Sequence, residues 1–248
     1  MTNAAVQYNA ELASRYNSGG RLSHPQSTLP YVTWLNELGD VSGKIVLDLA
    51  CGDGYTSRML AERGALVVGV DVSPEQISRA KHIEYHRRQN IRYVTRDVAE
   101  LQLGMLFDLV TPSFLFHYAD SKEKMLRMME SVASHLQPDC RMVALSAAPE
   151  PIVARYPNAS HYTHWEGPAY KEGSPVRMHI LDLAGEEVCS FRYYYWKPLT
   201  YEALLEEAGF ADIRWVLHTM PQDMREQFHN WEELEAHNGS AVLIARKK

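Results

Sequence analysis

The sequence predicts an α/β protein whose core is a mostly parallel β-sheet covered by helices on both faces. Three observations predict it. From Lys44 onward, short apolar runs alternate with capped helical stretches. The first run, Ile45–Leu49, breaks off into a small-residue turn, Ala50-Cys51-Gly52-Asp53-Gly54, and a helix begins near Tyr55. Acidic residues, Asp71 and Asp97, follow the next two runs. Strand–helix alternation implies parallel strands joined by helices. Right-handed crossovers then gather the C-terminal strand ends on one edge, where such sheets hold ligands. That edge is predicted to carry Ala50–Gly54, Asp71, Asp97 and Thr111–His117.

Residues 1–43 read as a helical preface. Tyr8, Leu12 and Tyr16 share a helical face, Gly19-Gly20 ends that helix, and a second runs through Tyr31, Trp34, Leu35 and Leu38. Strand one is Ile45–Leu49, followed by a helix from about Tyr55 to Arg63 with Gly64 as its C-cap. Strand two is Leu66–Val70. Ser73-Pro74-Glu75-Gln76 is a capping box with proline at the first helical position. Strand three, Ile91–Val94, leads to Asp97 and a short helical piece, and strand four is Leu106–Thr111. Asp120-Ser121-Lys122-Glu123 reads as a second box. The helix it opens turns Met125, Met129, Val132 and Leu136 inward, with Met128 as further core filling. Strand five is about Arg141–Ser146.

The alternation pauses over residues 147–196, an insertion expected to cover the crevice. It is irregular and aromatic up to Gly173, then forms a β-hairpin of Val176–Leu183 and Val188–Trp196 about Ala184-Gly185. A helix over Thr200–Ala208, a strand over Asp212–Leu217, a helical stretch near Met224–Glu235 and a strand over Ala241–Ala245 complete a seven-stranded sheet. Residues 1–248 are expected to form a single domain.

Composition is that of an ordinary globular protein, 46% hydrophobic and 23% charged. The formal net charge is −6, and no basic run is longer than Arg246-Lys247-Lys248. Both argue against nucleic acid or an anionic membrane as the main partner. The chain opens on no basic-then-apolar leader, and no apolar run approaches the roughly 20 residues that span a bilayer. Cys51, Cys140 and Cys189 are far apart and odd in number, so free thiols in a cytoplasmic protein are expected, without a zinc cluster.

An acidic residue at the end of strand two, about 20 residues past a glycine turn, is placed to accept hydrogen bonds from ribose hydroxyls. Asp71 has that place. A dinucleotide would ask for G-x-G-x-x-G with amides aimed at a pyrophosphate, whereas Asp53 puts negative charge there. A cationic or zwitterionic nucleoside ligand fits better than a nicotinamide cofactor.

V-L-D-L-A-C-G-D-G, V-V-G-V-D-V-S-P and R-D-V-A, in that order and spacing, resemble the three cofactor motifs of class I S-adenosylmethionine (SAM) methyltransferases. Phe107–Asp120, Gly39–Lys44 and Tyr201–Phe210 are similar, more narrowly, to the toxoflavin synthase-like branch, whose namesake N-methylates an azapteridine. The likeness covers most of residues 39–210 and is weak across the insertion. It implies a Rossmann-like sheet, SAM as cofactor and S-adenosylhomocysteine as product. It also implies roles: Asp71 for the ribose hydroxyls, Val72 for the adenine face, and Asp97 with the Val98 amide for the adenine edge. Ala50, Cys51 and Gly52, with Tyr16 from the preface, would meet the methionine end, and Ser113 would lie beside the sulfonium. Asp48 and Gln76 complete the cofactor set. The chain departs from the family at Leu136–Cys140, where Pro-Gly-Gly is common, away from the cofactor motifs.

The implied activity is methyl transfer to N, O or C of a small aromatic or heteroaromatic metabolite, in secondary metabolism, by a monomer or homodimer. Tyr8, Trp34, Phe114, Tyr118, Trp165 and Tyr195 are candidate acceptor-pocket walls, because planar substrates stack on rings. His117, after strand four, is the candidate general base with a pKa near neutral; a hydrogen-bonding or purely structural role stays open. His161, His164 and Glu166 have a ligand-like spacing, but a polar-aromatic lid is the simpler reading and no metal is expected. Thr111-Pro112-Ser113-Phe114 echoes the Asn-Pro-Pro-Tyr motif of amino-group methyltransferases, but Thr111 supplies no amide. A macromolecular methyltransferase and a SAM-binding module without turnover stand as alternatives.

Overall fold

The computed structural model describes residues 28–147, 161–182, 184–226, 231–236 and 239–248. The expected preface around Tyr8 and Tyr16 lies outside the described residues. The first described helix, α1 (Leu29–Leu38), starts with Pro30 in its first turn. Then come β1 (Ile45–Leu49), α2 (Tyr55–Ala61), β2 (Leu66–Asp71), α3 (Pro74–Arg87), β3 (Arg92–Thr95) and β4 (Phe107–Pro112). They are followed by α4 (Lys122–His135), β5 (Leu136–Ala147), β6 (His161–Trp165), β7 (Pro175–Leu181) and β8 (Glu187–Tyr194). The chain closes with α5 (Pro198–Glu207), β9 (Phe210–Leu217), α6 (Gln222–Arg225), α7 (Trp231–Ala236) and β10 (Ser240–Lys247).

The main sheet has seven strands in the order β3-β2-β1-β4-β5-β10-β9. Pairings from β3 through β5 are parallel, while β10 runs antiparallel to both neighbours. The expected α/β, Rossmann-like, mostly parallel sheet is therefore present. Its strands alternate side chains between two cores, since successive residues of a strand face opposite sides. Leu47, Leu49, Val68 and Val70 pack with Met125, Met129 and Val132 of α4 and Leu205 of α5. Val46, Val67, Leu109 and Val143 pack on the other face with Trp34 and Leu38 of α1, Leu60 of α2 and Ile77 of α3. The three methionines of α4 are core filling, as expected.

Local chemistry sets the helix starts. Ser73 caps α3 by accepting from the Gln76 amide at 3.2 Å, with Pro74 opening the helix. The second box shifts by one residue: Ser121, not Asp120, is the cap of α4 and accepts from the Lys124 amide at 3.2 Å. Strand β5 begins at Leu136 rather than near Arg141, and its register against β4 slips between Phe107 and Leu109. Asp139, at φ 61, lies in that irregular stretch, which absorbs the departure from Pro-Gly-Gly.

The insertion carries the expected hairpin, β7 with β8, closed by a turn in which the Asp182 carboxylate accepts from the Ala184 and Glu186 amides. A third strand, β6, pairs with β7. The sequence shows no alternation there because Tyr162, His164 and Glu166 face outward while Thr163 and Trp165 face in, so both faces carry polar or aromatic groups. Strand β8 packs on the turn Phe116–Tyr118 that follows β4. Trp196 anchors the base of this small sheet, its indole N–H donating to the Ala119 carbonyl at 2.9 Å.

Trp34 is a core residue, in contrast to the expected place in an acceptor pocket. It is fully buried, and its indole N–H donates to Thr111 Oγ1 at 2.9 Å and to the Val143 carbonyl at 3.3 Å. An apolar ring with one donor is well placed against a sheet face that offers acceptors. The Trp34→Phe variant is expected to lose roughly 1–3 kcal/mol in urea melts, because the donor and part of the packing volume go together. Unchanged stability would mean that the indole bonds contribute nothing net.

Candidate active site

The edge formed by the C-terminal ends of β1, β2 and β4 carries a cleft with about 620 Å³ of empty space, counting its open mouth. Chain geometry makes it. At the end of β1, Ala50 takes φ 56, followed by Gly52 at φ 57 and Gly54 at φ 82. That left-handed sequence of conformations needs small residues, and it turns the chain within five positions from strand to helix. The Cys51 amide bonds the Val70 carbonyl at 3.1 Å, tying the turn to β2. On the other side, the Ser113 amide bonds the Leu49 carbonyl and the Phe114 amide bonds the Leu145 carbonyl, both at 2.8 Å. Phe114 has φ 54, a conformation that is uncommon for a bulky side chain and is found where a site over-determines it.

Asp48 sits beneath the turn with no exposed surface. Its Oδ2 accepts from Thr56 Oγ1 at 2.8 Å and Ser57 Oγ at 2.6 Å, and its Oδ1 accepts from Ser113 Oγ at 3.3 Å. Burial pushes its carboxyl up to about 6 against the pull of these hydroxyls, and Asp71 adds to the rise. Asp71 lines the cleft, accepting from the Gly52 amide at 2.9 Å and the Ser73 amide at 2.8 Å. Burial raises its pKa, while the amides of Ser73, Gly52 and Val72 oppose that rise.

Ala50, Cys51 and Gly52 form the cleft floor, Gln76 and Thr56 its flanks, and Ser113 its far side. Four rings, Tyr31, Tyr55, Phe114 and Tyr118, complete the wall. Tyr31 and Tyr55 meet edge to face at 5.1 Å. Among the described lining residues, no side chain is basic.

Residues 46–139 match the family described as methyltransferase domain. Those residues carry a methyltransferase domain. Over 207 residues the chain is 26% identical to a ubiquinone biosynthesis O-methyltransferase of Acinetobacter baylyi, covering 77% of this chain and 83% of that one. A cypemycin N-terminal methyltransferase of a Streptomyces species is 34% identical over 108 residues, but that match spans only 43% of either protein. Among solved structures, the CcbJ methyltransferase of Streptomyces caelestis superposes with a TM-score of 0.68 at 17% identity, covering 97% of this chain and 98% of that one. A SAM-dependent methyltransferase of Mesorhizobium loti gives 0.64 at 22% identity, over 88% and 98%. Both likenesses speak to the fold.

SAM is the cofactor of such a domain, and the cleft suits it. Asp71 presents a carboxylate to the cleft, the small residues of the turn leave its backbone open to a ligand, and acid plus aromatic walls suit a cation-bearing ligand. The methyltransferase domain thus gathers Ala50, Cys51, Gly52, Asp71, Gln76 and Ser113 of the expected cofactor set in one cleft, with Asp48 directly beneath. Phe114 and Tyr118 of the expected acceptor set join them. Val72, Asp97 and Val98 lie outside this lining. Val98 is buried in the core, and Asp97 uses Oδ1 to cap the short turn Val98–Glu100, accepting from the Ala99 amide at 3.0 Å.

Two expectations need correction. Asp53 does not charge the cleft directly: it is buried outside the lining, with Arg58 Nη2 3.8 Å from its carboxylate and Arg58 Nη1 donating to its carbonyl at 2.6 Å. A guanidinium one helical turn away neutralises it, so the acidity of the cleft comes from Asp71 and Asp48. His117 does not have a near-neutral pKa: burial lowers it to about 3, and its Nδ1 has no hydrogen-bond partner among the described residues. It stacks among Tyr118, Tyr193 and Phe114 at 4.6, 5.4 and 6.2 Å, behind the lining rather than in it. Trp165 and Tyr195 pack with Tyr193 in the same aromatic group under the small sheet.

Tyr31, Tyr55 and Thr56 are cleft residues that sequence reasoning passed over. Tyr55 and Thr56 directly follow Gly54, which was a usable signal. Tyr31 and Trp34 share one helix face by spacing, and spacing alone does not say which meets the crevice.

Asp48 has a consequence for stability. Its folded pKa of about 6 lies above the ordinary 3.8, so the folded state binds the proton more tightly. Its ionisation therefore costs stability as pH rises between those values, by roughly 3 kcal/mol in the ligand-free protein once complete. Asp48→Asn should be more stable than the parent by roughly 1–3 kcal/mol in urea melts at about pH 7.5, with the difference disappearing towards about pH 4. A pH-independent difference would show that folding does not tighten the binding of the Asp48 proton.

Proposed function

We propose that the protein methylates a small planar acceptor, aromatic or heteroaromatic, at nitrogen, oxygen or carbon. The observation that carries this reading is the composition of the cleft: a backbone floor with Asp71 at one end and ring walls at the other. The fuller acceptor chamber would include Trp165 and Tyr195 beneath the small sheet, with residues 147–196 as the cover of a single domain. The resemblance to the toxoflavin synthase-like branch supports a ring-nitrogen acceptor in secondary metabolism. Cys51, Cys140 and Cys189 form no disulfide among the described residues, which supports a reducing, cytoplasmic setting, and the protein acts as a monomer or homodimer.

In this reading Asp71 holds the ribose hydroxyls, and Ala50, Cys51 and Gly52 meet the methionine end above Asp48. Gln76 and Val72 flank the adenine, Asp97 and the Val98 amide meet its edge, and Tyr16 closes over the methionine end. SAM supplies a methyl group already activated by its sulfonium. The protein's task is then to hold the acceptor in line and exclude water, which alone can account for much of a rate enhancement. Ser113, Phe114 and Tyr118 align the acceptor. His117, uncharged and packed behind the lining against Phe114 and Tyr118, holds those rings in place for the acceptor rather than taking its proton.

The cypemycin relative's name favours a second reading, a peptide's terminal amine as acceptor. Incubation with methyl-labelled SAM and a metabolite extract distinguishes the two: label in a small aromatic product supports the first, and label retained in peptide supports the second. Two variants test the site. Asp71→Ala should weaken SAM binding in calorimetry by roughly 1–3 kcal/mol, since ribose hydroxyls would lose their acceptor. Equal affinity would remove Asp71 from the ribose site. His117→Ala should lower turnover more than SAM affinity, and the parent pH–rate profile should show no limb near 6.5 assignable to this residue. A limb that vanished in the variant would restore His117 as a titrating base.

A further inference from the structure

Tyr93 lies on β3 directly opposite Gly69 of β2 and is almost wholly buried. Glycine inside a parallel strand weakens it unless another group needs the space. Gly69 has ordinary extended backbone, so conformation does not demand glycine there. Space does: a Cβ at this position would meet Tyr93 Cδ1 and Cε1 at 2.8 Å and Ser57 Oγ at 2.9 Å. The ring thus lies across β2. Its far end reaches Gly54, the residue before α2, where a Cβ would stand 2.1 Å from the phenol oxygen. The same side chain therefore spans from β3 across β2 to the start of α2.

What it touches there holds the cleft floor. Gly54 ends the turn whose Gly52 amide bonds Asp71. Ser57, beside the ring, donates to Asp48 at 2.6 Å, and Thr56 next to it donates at 2.8 Å. The phenol oxygen is buried beside Ser57, without a well-formed hydrogen bond among the described residues. Its contact with Gly54 is what the oxygen adds.

We propose that Tyr93 is a positioning residue for the cofactor: it is the strut that sets the height of the Cys51–Gly54 turn and the placement of Thr56 and Ser57 around Asp48. This rests on the reading of the cleft as the SAM site. Tyr93 itself does not line the cleft, so it acts through the turn.

A double-mutant cycle on the intact protein tests it, with calorimetric affinity for SAM and S-adenosylhomocysteine as the readout and melting curves alongside. Tyr93→Leu and Gly69→Ala should each weaken both ligands about tenfold, measured well below the melting midpoint, and Tyr93→Phe, which keeps the ring across β2 and loses only the Gly54 contact, should weaken them about threefold. In Tyr93→Leu/Gly69→Ala the added methyl occupies vacated space, so affinity should return to within about threefold of the parent. A folded Tyr93→Leu protein with parental affinity would overturn the role and reduce Tyr93 to core packing. Additive losses in the double variant would overturn it as well. A parent that bound neither ligand would instead overturn the reading of the cleft, and this role with it.

Discussion

The chain passes from β1 into α2 over a carboxylate that has left water, and the rest of the cleft is arranged around that burial. An isolated buried carboxylate is costly, and Asp48 is tolerated because three hydroxyls point at it. They come from two segments: Thr56 and Ser57 from the first turn of α2, and Ser113 from the chain leaving β4. Each must keep its oxygen inward, so both segments are tied to β1. What remains to face outward is backbone, at Ala50 and Gly52, whose left-handed conformations suit small residues. Even so the hydroxyls do not fully compensate the charge, and Asp48 keeps its proton up to about pH 6. A cation bound above it would favour the ionised form, which couples ligand charge to the protonation of the floor.

The floor of the cleft was legible in the sequence for this reason. A buried acid, small residues at fixed offsets and an acid ending β2 are requirements on residue type, and residue type is what a sequence displays. The capped start of α3 and the methionine face of α4 were legible on the same ground. Other features depend on direction instead. Asp53 was read as a cleft charge, but its carboxylate turns toward Arg58, a pairing that spacing permits without requiring. Trp34 and Tyr31 lie three apart on one helix face, and only the offer of Thr111 Oγ1 to the indole decides which of them is core. His117 was placed correctly after β4, but its basicity is set by Tyr118, Tyr193 and Phe114, and Tyr193 reaches it from far along the chain.

The small sheet is fixed more firmly than an inserted segment needs to be. Glu172, just before β7, accepts from the Lys197 amide at 3.2 Å and from the Thr200 hydroxyl, so it caps the start of α5. Its other oxygen lies 3.4 Å from Lys122 Nζ at the start of α4. With Trp196 bonded to the Ala119 carbonyl, the base of the insertion is tied to two helices and to the chain leaving β4. On the outer face, Glu166 takes both Arg177 and Arg192, which pins all three strands together. The inner face is left for Trp165, Tyr193 and Tyr195. A sheet held at its base and cross-linked on its back presents those rings as a rigid surface.

The two halves of the site thus obey different constraints. The donor side depends on backbone shape and two carboxylates, and the family match over residues 46–139 spans it and stops before the small sheet. On the proposed reading, the acceptor side is built from side chains of the chain leaving β4 and from the inserted sheet. Ring walls backed by an uncharged imidazole distinguish acceptors by shape more than by charge. Such a wall cannot strip a proton from a weakly acidic group. An acceptor suited to it must therefore bring its own nucleophile, a lone pair already free or a ring N–H or O–H acidic enough to ionise unaided, and this points back to electron-poor heteroaromatic rings over simple alcohols.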